Sequence, residues 1–218
     1  VKVSTYTRRS LTQRFVEVDL DDDGNLAEVL FRWLPPAIDL VYSDPPWNPG
    51  NASYWRTYAN LDACRSYASF LDRLVAIYVA CQQRGARHVM IEQSSNPAHH
   101  GLLLEAVQQH YDWSLPLQRI YDVLYAKPQR PNALLHFGSG PLATDPSGLA
   151  GEPMTLRAIA GTRPEPGTWI VDPCMGLGMT SRMAHGLGLN CFGCELNPQR
   201  LARTTAWLVK HGYTLEDA

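Results

Sequence analysis

The sequence predicts an α/β protein built on a mainly parallel sheet covered by helices on both faces. Three observations predict it. Short apolar runs that read as buried strands recur at residues 38–43, 87–91, 168–172 and 190–195. Between them lie segments with apolar residues at helical spacing, such as Tyr67, Phe70, Leu74, Ile77 and Cys81. Several of the strand candidates end in acids: Asp44, Asp172 and Glu195. The carboxyl ends of strands are where open α/β sheets bind ligands.

Element by element, residues 14–20 alternate as a strand, and residues 26–34 carry a short helical pattern that Pro35-Pro36 stops. The strand at 38–43 follows. A helix over 61–83, capped by Asn60 or Asp62, leads into the strand at 87–91. Asn96-Pro97 reads as cap and first turn of a helix reaching His110, and residues 113–127 offer two antiparallel strands. Residues 128–151 are rich in Pro, Gly and Ser and read as a loop. A short helix at 154–160, a turn at Pro166-Gly167, a strand at 168–172 and a helix at 180–187 come next. After the strand at 190–195, Asn197-Pro198 caps the last helix, which Gly212 ends. No internal repeat breaks the pattern, so 1–218 reads as a single domain.

The 218 residues are 45% hydrophobic and 18% charged, enough for one well-buried core, and no apolar stretch approaches membrane-spanning length. Five scattered cysteines and no signal-peptide pattern point to reduced thiols in a cytoplasmic protein. A net charge of -2 excludes a globally basic nucleic-acid binder. Contacts to a polyanion would have to come from local groups: Arg8, Arg9 and Arg14; Arg56 with Arg65; Lys127 with Arg130.

Asp44-Pro45-Pro46-Trp47 closes the strand at 38–43 and sets a carboxylate, a turn carbonyl and a flat ring at one sheet edge. That set suits gripping a planar base by its exocyclic amine, which is a poor nucleophile because its lone pair is delocalised into the ring. Asp44 and the Pro45 carbonyl can accept the amine's two hydrogens while Trp47 stacks on the base, and Asn48, Tyr54 and Trp55 follow in the next loop as substrate contacts. A second motif, Asp172-Pro173-Cys174-Met175-Gly176-Leu177-Gly178-Met179-Thr180, reads as strand, glycine turn and helix start. Glu195 ends the next strand, where a carboxylate can take both hydroxyls of a ribose. The turn lacks the third glycine of a dinucleotide fingerprint and the lysine of a P-loop, so a nucleoside carrying an amino-acid carboxylate fits better than a pyrophosphate. S-adenosyl-L-methionine is the cofactor this describes.

With these motifs in this order, the chain resembles the beta class of S-adenosylmethionine-dependent DNA amino-methyltransferases, in which the catalytic motif precedes the cofactor motif. The resemblance runs through Val18-Asp19, residues 38–48, residues 166–180 and Gly193-Cys194-Glu195. It implies a Rossmann-like, circularly permuted sheet of seven strands with one antiparallel strand near the edge. It also implies that Asp19 neighbours the cofactor adenine. An acid at the first catalytic position is more usual in adenine N6 enzymes, so DNA adenine is the expected substrate. Cytosine N4 is the alternative, and Trp47 in place of the commoner Tyr keeps RNA adenosine as another. The chain departs from the family at Met179, at Glu152 in place of a lysine, and at Cys174 in place of an aromatic. Residues 128–152 form only a short loop where the family inserts a target-recognition domain, which implies short or relaxed target sites and a homodimer to supply missing DNA contacts.

Two further functions compete: a catalytically silent nucleic-acid-binding partner, and a methyltransferase for a small molecule or protein amide. Three decoys are set aside. Asp19-Leu20-Asp21-Asp22-Asp23-Gly24 opens like a calcium loop but has Leu30 at its twelfth position. Cys191 and Cys194 lack a second pair for zinc, and His99-His100 point apart on a helix. No metal site is expected.

Overall fold

The computed structural model describes residues 1–64, 66–125 and 130–216. Arg65, Lys127 and residues 128–129, which carry two of the basic-patch expectations and the start of the predicted loop, lie outside them. The chain opens with a hairpin, β1 (Lys2–Arg8) and β2 (Leu11–Glu17), then helix α1 (Asp23–Glu28), which continues in a π turn, Val29–Trp33. Strand β3 (Leu40–Ser43) is followed by α2 (Pro49–Tyr58), α3 (Tyr67–Gln83), β4 (His88–Ser94) and α4 (Pro97–Gln109). Next come β5 (Leu117–Tyr125), β6 (Arg130–Gly138), α5 (Gly151–Gly161) and β7 (Trp169–Asp172). Helix α6 (Met179–Leu187), β8 (Asn190–Glu195), α7 (Pro198–Lys210) and β9 (Thr214–Leu215) complete it.

All nine strands join one sheet in the order β5-β6-β4-β3-β7-β8-β2-β1-β9. Strands β4, β3, β7, β8 and β2 run parallel, while β6 and β1 run against them. The expectation of seven strands with one reversed is therefore corrected to nine with two reversed. The added pair, β1 and β9, extends the edge beyond β2. One core cluster packs α3 and α4 on one face through residues such as Leu74, Ile77 and Leu103. The other packs α5, α6 and α7 through Met154, Ala184 and Leu208. Among the described residues no helix is long and apolar enough to cross a membrane.

The largest departure from the sequence expectation is β6. Residues 130–138 fall within the expected loop, yet they form an interior strand between β4 and β5 whose residues Asn132–Gly138 are all buried. A strand covered on both faces shows no polar alternation, and its Ala133-Leu134-Leu135 centre is not β-branched, so neither periodicity nor composition marks it. The two strands expected within 113–127 are one, β5, and its antiparallel partner is β6. The π turn, the α3 start at Tyr67 with Ser66 as its cap and the helix over 49–58 are likewise not legible in the periodicity.

Candidate active site

The parallel strands end together, and each end delivers one part of the site. Strand β3 is buried along its length, so the chain emerges into Asp44 at a cleft. Trp47 turns back and donates its Nε1–H to Asp44 Oδ1 at 3.1 Å. From α3, the Tyr67 hydroxyl donates to the Pro46 carbonyl at 2.7 Å, which pins the loop. Among the described residues nothing hydrogen-bonds the Pro45 carbonyl. Asn48 caps α2 by accepting the Asn51 amide at 2.9 Å, with Pro49 as the first helical residue.

Burial pushes Asp44 up to about 6, against the Trp47 hydrogen bond and the Arg200 charge, which pull it down. A second carboxylate, Glu92 on β4, accepts from the Tyr42 hydroxyl. Burial first, then the neighbouring Asp44 charge, hold Glu92 well above the ordinary range. Dehydration outweighs hydrogen bonding at both acids because a buried charge costs more than one donor returns.

At the end of β7, Asp172 organises the glycine turn from beneath. Its Oδ1 accepts the Cys174 amide at 3.0 Å and its Oδ2 the Thr180 hydroxyl at 2.6 Å. Burial still lifts it to about 7. Gly178, at φ 71, is the N-cap of α6 and supplies no capping side chain. At the end of β8, Glu195 Oε1 accepts the Asn197 amide at 2.7 Å, and burial raises its pKa.

These strand ends enclose a two-lobed cleft. The first lobe, open to solvent, is bounded by Asp19, Pro173, Cys174, Glu195 and Asp44. The second, also open, is bounded by Asp44, Pro45, Pro46, Trp47, Trp55 and Gly176. Asp44, Pro46, Trp55, Cys174 and Arg200 wall both lobes. The carboxylate thus stands at the junction.

Most of the residues singled out in the sequence therefore meet at one cleft. Asp172, Gly178 and Thr180 lie under the loop and do not bound the cavity. Asn48 is spent as a helix cap. Tyr54 and Trp55 sit on helix α2 rather than in a loop, and Tyr54 is exposed on its outer side, stacked on Tyr58 at 6.1 Å between ring centroids. Arg56 belongs to an ion ladder: it meets Asp19 at 2.6 Å and Asp21 at 3.5 Å, and Arg73 meets Asp21 and Asp23 at 2.8 Å each. The acid run that mimicked a calcium loop is thereby occupied by guanidinium groups.

Sequence reasoning missed Tyr125, Glu92 and Arg200. Tyr125 ends β5 and sets its ring edge-on to Trp47 at 4.8 Å; only the β5–β6 pairing brings it there. Glu92 sits in an apolar strand without a motif. Arg200 follows Glu195 on α7 at the third helical position, a spacing that points back to the strand end and was the one available signal.

Similarity to solved structures follows this geometry. PvuII DNA methyltransferase (cytosine-N4-specific) superposes with a TM-score of 0.62 at 10% identity, covering 88% of this chain and 85% of that one. The chain shares its fold with a DNA methyltransferase. The M1.HpyAVI–SAM complex gives 0.62 at 12% identity, with 89% and 98% covered. TTHA0409 of Thermus thermophilus, complexed with S-adenosyl-L-methionine, gives 0.59 at 14% identity, with 85% and 90% covered. At these identities the likeness is one of fold. No protein-family model and no curated protein sequence matches the chain.

Proposed function

We propose that this chain is one methyltransferase domain, circularly permuted in motif order, that transfers a methyl group from S-adenosyl-L-methionine to the exocyclic amine of a DNA base, with adenine N6 favoured over cytosine N4. The observation that carries the reading is the place of Asp44 at the junction of two lobes, one ending at Glu195 and the other lined by Trp47 and Tyr125. A donor in one lobe and an acceptor base in the other would meet at that carboxylate.

The cleft fits the cofactor with its nucleoside in the first lobe and its amino-acid end reaching towards the second. Glu195 in the first lobe suits a ribose diol, and the uncapped start of α6 beside Gly176, which bounds the second, suits a carboxylate. An acid-lined cleft suits a cation and repels a pyrophosphate. S-adenosyl-L-methionine, when bound, supplies an electrophilic methyl group on a sulfonium. Asp44 orients the acceptor by taking an amine hydrogen, and the Pro45 carbonyl, unengaged where that of Pro46 is taken by Tyr67, takes the other. Holding both hydrogens localises the nitrogen lone pair and fixes its line of approach. The proton released after transfer passes to Asp44 Oδ2, the oxygen that Trp47 leaves open. Trp47 and Tyr125 exclude water from the base.

Incubation with labelled S-adenosyl-L-methionine and DNA, followed by nucleoside mass spectrometry, is expected to yield N6-methyladenine. N4-methylcytosine instead would move the substrate within the reading. Methylation of free nucleoside, peptide or RNA but not DNA, or of nothing at all, would overturn it.

The pH profile tests the role of Asp44. Only the ionised carboxylate accepts an amine hydrogen, and the group titrates near 6. In the cofactor-free enzyme kcat/KM for the cofactor should rise with pH through about 6 and level off near 7. The kcat profile should break lower, because a bound cation beside Asp44 favours its charged form. A kcat/KM flat down to pH 5 would count against Asp44.

A further inference from the structure

The cleft contains one cation that, among the described residues, forms no ion pair and donates no hydrogen bond, although its charge is felt by Asp44 and Glu195. Of the two arginines that line it, Arg56 is tied to Asp19 at 2.6 Å and Asp21 at 3.5 Å. Arg200 forms no ion pair, and its guanidinium donates no hydrogen bond, among the described residues. It is nevertheless held in place. Its guanidinium carbon lies 4.3 Å from the centroid of the Trp55 ring. It also rests against the glycine turn, so closely that a β-carbon at Gly176 would stand 3.3 Å from Nη2. Its backbone is fixed in the first turn of α7 by Asn197, whose side chain accepts from the Arg200 amide at 3.3 Å. A guanidinium that is rigidly placed, desolvated on one face by an indole and unpaired on its edge is built to receive an anion.

Which anion follows from the neighbours. Arg200 walls both lobes beside Gly176, and the start of α6, whose N-cap Gly178 carries no side chain, adds free amide character on the same side. The other charged groups facing the lobes are carboxylates: Asp44 and Glu195, with Asp19 and Asp21 already paired. An amino-acid carboxylate entering this cleft would be repelled everywhere except at Arg200 and the helix start. Glu152 offers no cation, and is itself engaged by Arg182 at 2.8 Å.

We propose that Arg200 is the carboxylate clamp of the methyl donor: its guanidinium takes the α-carboxylate of the cofactor's amino-acid portion, stacked on Trp55 and backed by Gly176. The assignment rests on the cofactor reading given above and deepens it, because it makes donor selection depend on the amino-acid tail as well as on the nucleoside. Arg200 is a cofactor-binding residue in this scheme and takes no proton.

Two probes separate the tail from the nucleoside. S-adenosylhomocysteine carries the carboxylate, whereas 5′-methylthioadenosine keeps the adenosine and the sulfur but lacks the amino-acid group. By calorimetry on the full chain, Arg200→Gln is expected to weaken S-adenosylhomocysteine about 10–100-fold, the range for losing a charge-assisted hydrogen bond. Binding of 5′-methylthioadenosine should change less than about threefold, within the spread of a neutral surface change. Arg200→Lys, which keeps the charge and loses the fork, should fall between. Equal weakening of both probes would assign Arg200 to the nucleoside or to the integrity of the cleft and overturn the clamp. An unchanged ratio with weakened DNA binding would assign it to a phosphate and overturn it equally. A wild-type chain that binds both probes alike defeats the clamp alone, whereas one that binds neither defeats the cofactor reading too.

Discussion

Replacing Asp44 with Asn is expected to lower methyl transfer about a thousandfold while making the cofactor-free protein more stable at pH 8. The loss follows from the chemistry: an amide presents one oxygen, which Trp47 already engages at 3.1 Å, and its NH2 faces the amine it should grip. The gain follows from proton linkage. Burial raises Asp44 from its ordinary 3.8 to about 6 in the folded chain, so the folded state binds the proton more tightly than the unfolded one. The ionised form therefore costs stability above the folded pKa, and the cost fades as pH falls through 6 towards 4. A rise of that size corresponds to about 3 kcal/mol. Asp44 lies at the mouth of a solvent-accessible cleft, which trims the expected gain to about 1–2 kcal/mol. Denaturant unfolding at pH 8, 5 and 4 checks it: wild type should gain stability on acidification, and Asp44→Asn should show its full advantage at pH 8, about half of it at pH 5 and little of it by pH 4. A destabilised variant at pH 8 would mean that the carboxylate is structurally required.

Gly178→Ala should cost about 2–4 kcal/mol of folding stability, from a left-handed backbone and an overpacked contact together. Gly178 sits at φ 71, where a β-carbon is strained. That carbon would also press on Thr204, at 2.7 Å from its hydroxyl and closer still to its methyl. Thr204 is buried on α7 and has nowhere to retreat. Adding Thr204→Ala should recover the contact part and leave the backbone part, so thermal or denaturant unfolding of the two single variants and the double variant should show coupling of about 1–2 kcal/mol. Simple additivity would place the strain elsewhere. Packing under the turn is by itself a sufficient physical reason for glycine at this position.

How much is legible in the sequence depends on whether a feature is local. The strands before Asp44, Asp172 and Glu195 announce themselves because each is a short buried run ending in a residue that a buried run does not otherwise tolerate. Asn48, Asn96 and Asn197 each stand before a proline and each caps a helix, although the helix pattern around Asn48 is too weak to mark it as a cap. What escapes is set by pairing across the sheet. Strand β6 has no alternation to display, and Tyr125 reaches Trp47 only through its register opposite Arg130. Arg200 escapes for another reason: an arginine on an amphipathic helix is ordinary until Trp55, from a distant segment, is laid beneath it.

Successive residues on helix α2 serve different masters: Trp55 walls both lobes, and Arg56 grips the acids at the end of β2. With the proposed donor in one compartment and the proposed base in the other, any factor by which the donor changes the grip on the base must equal the factor by which the base changes the grip on the donor. The order in which the two arrive would then be decided by their concentrations and rates.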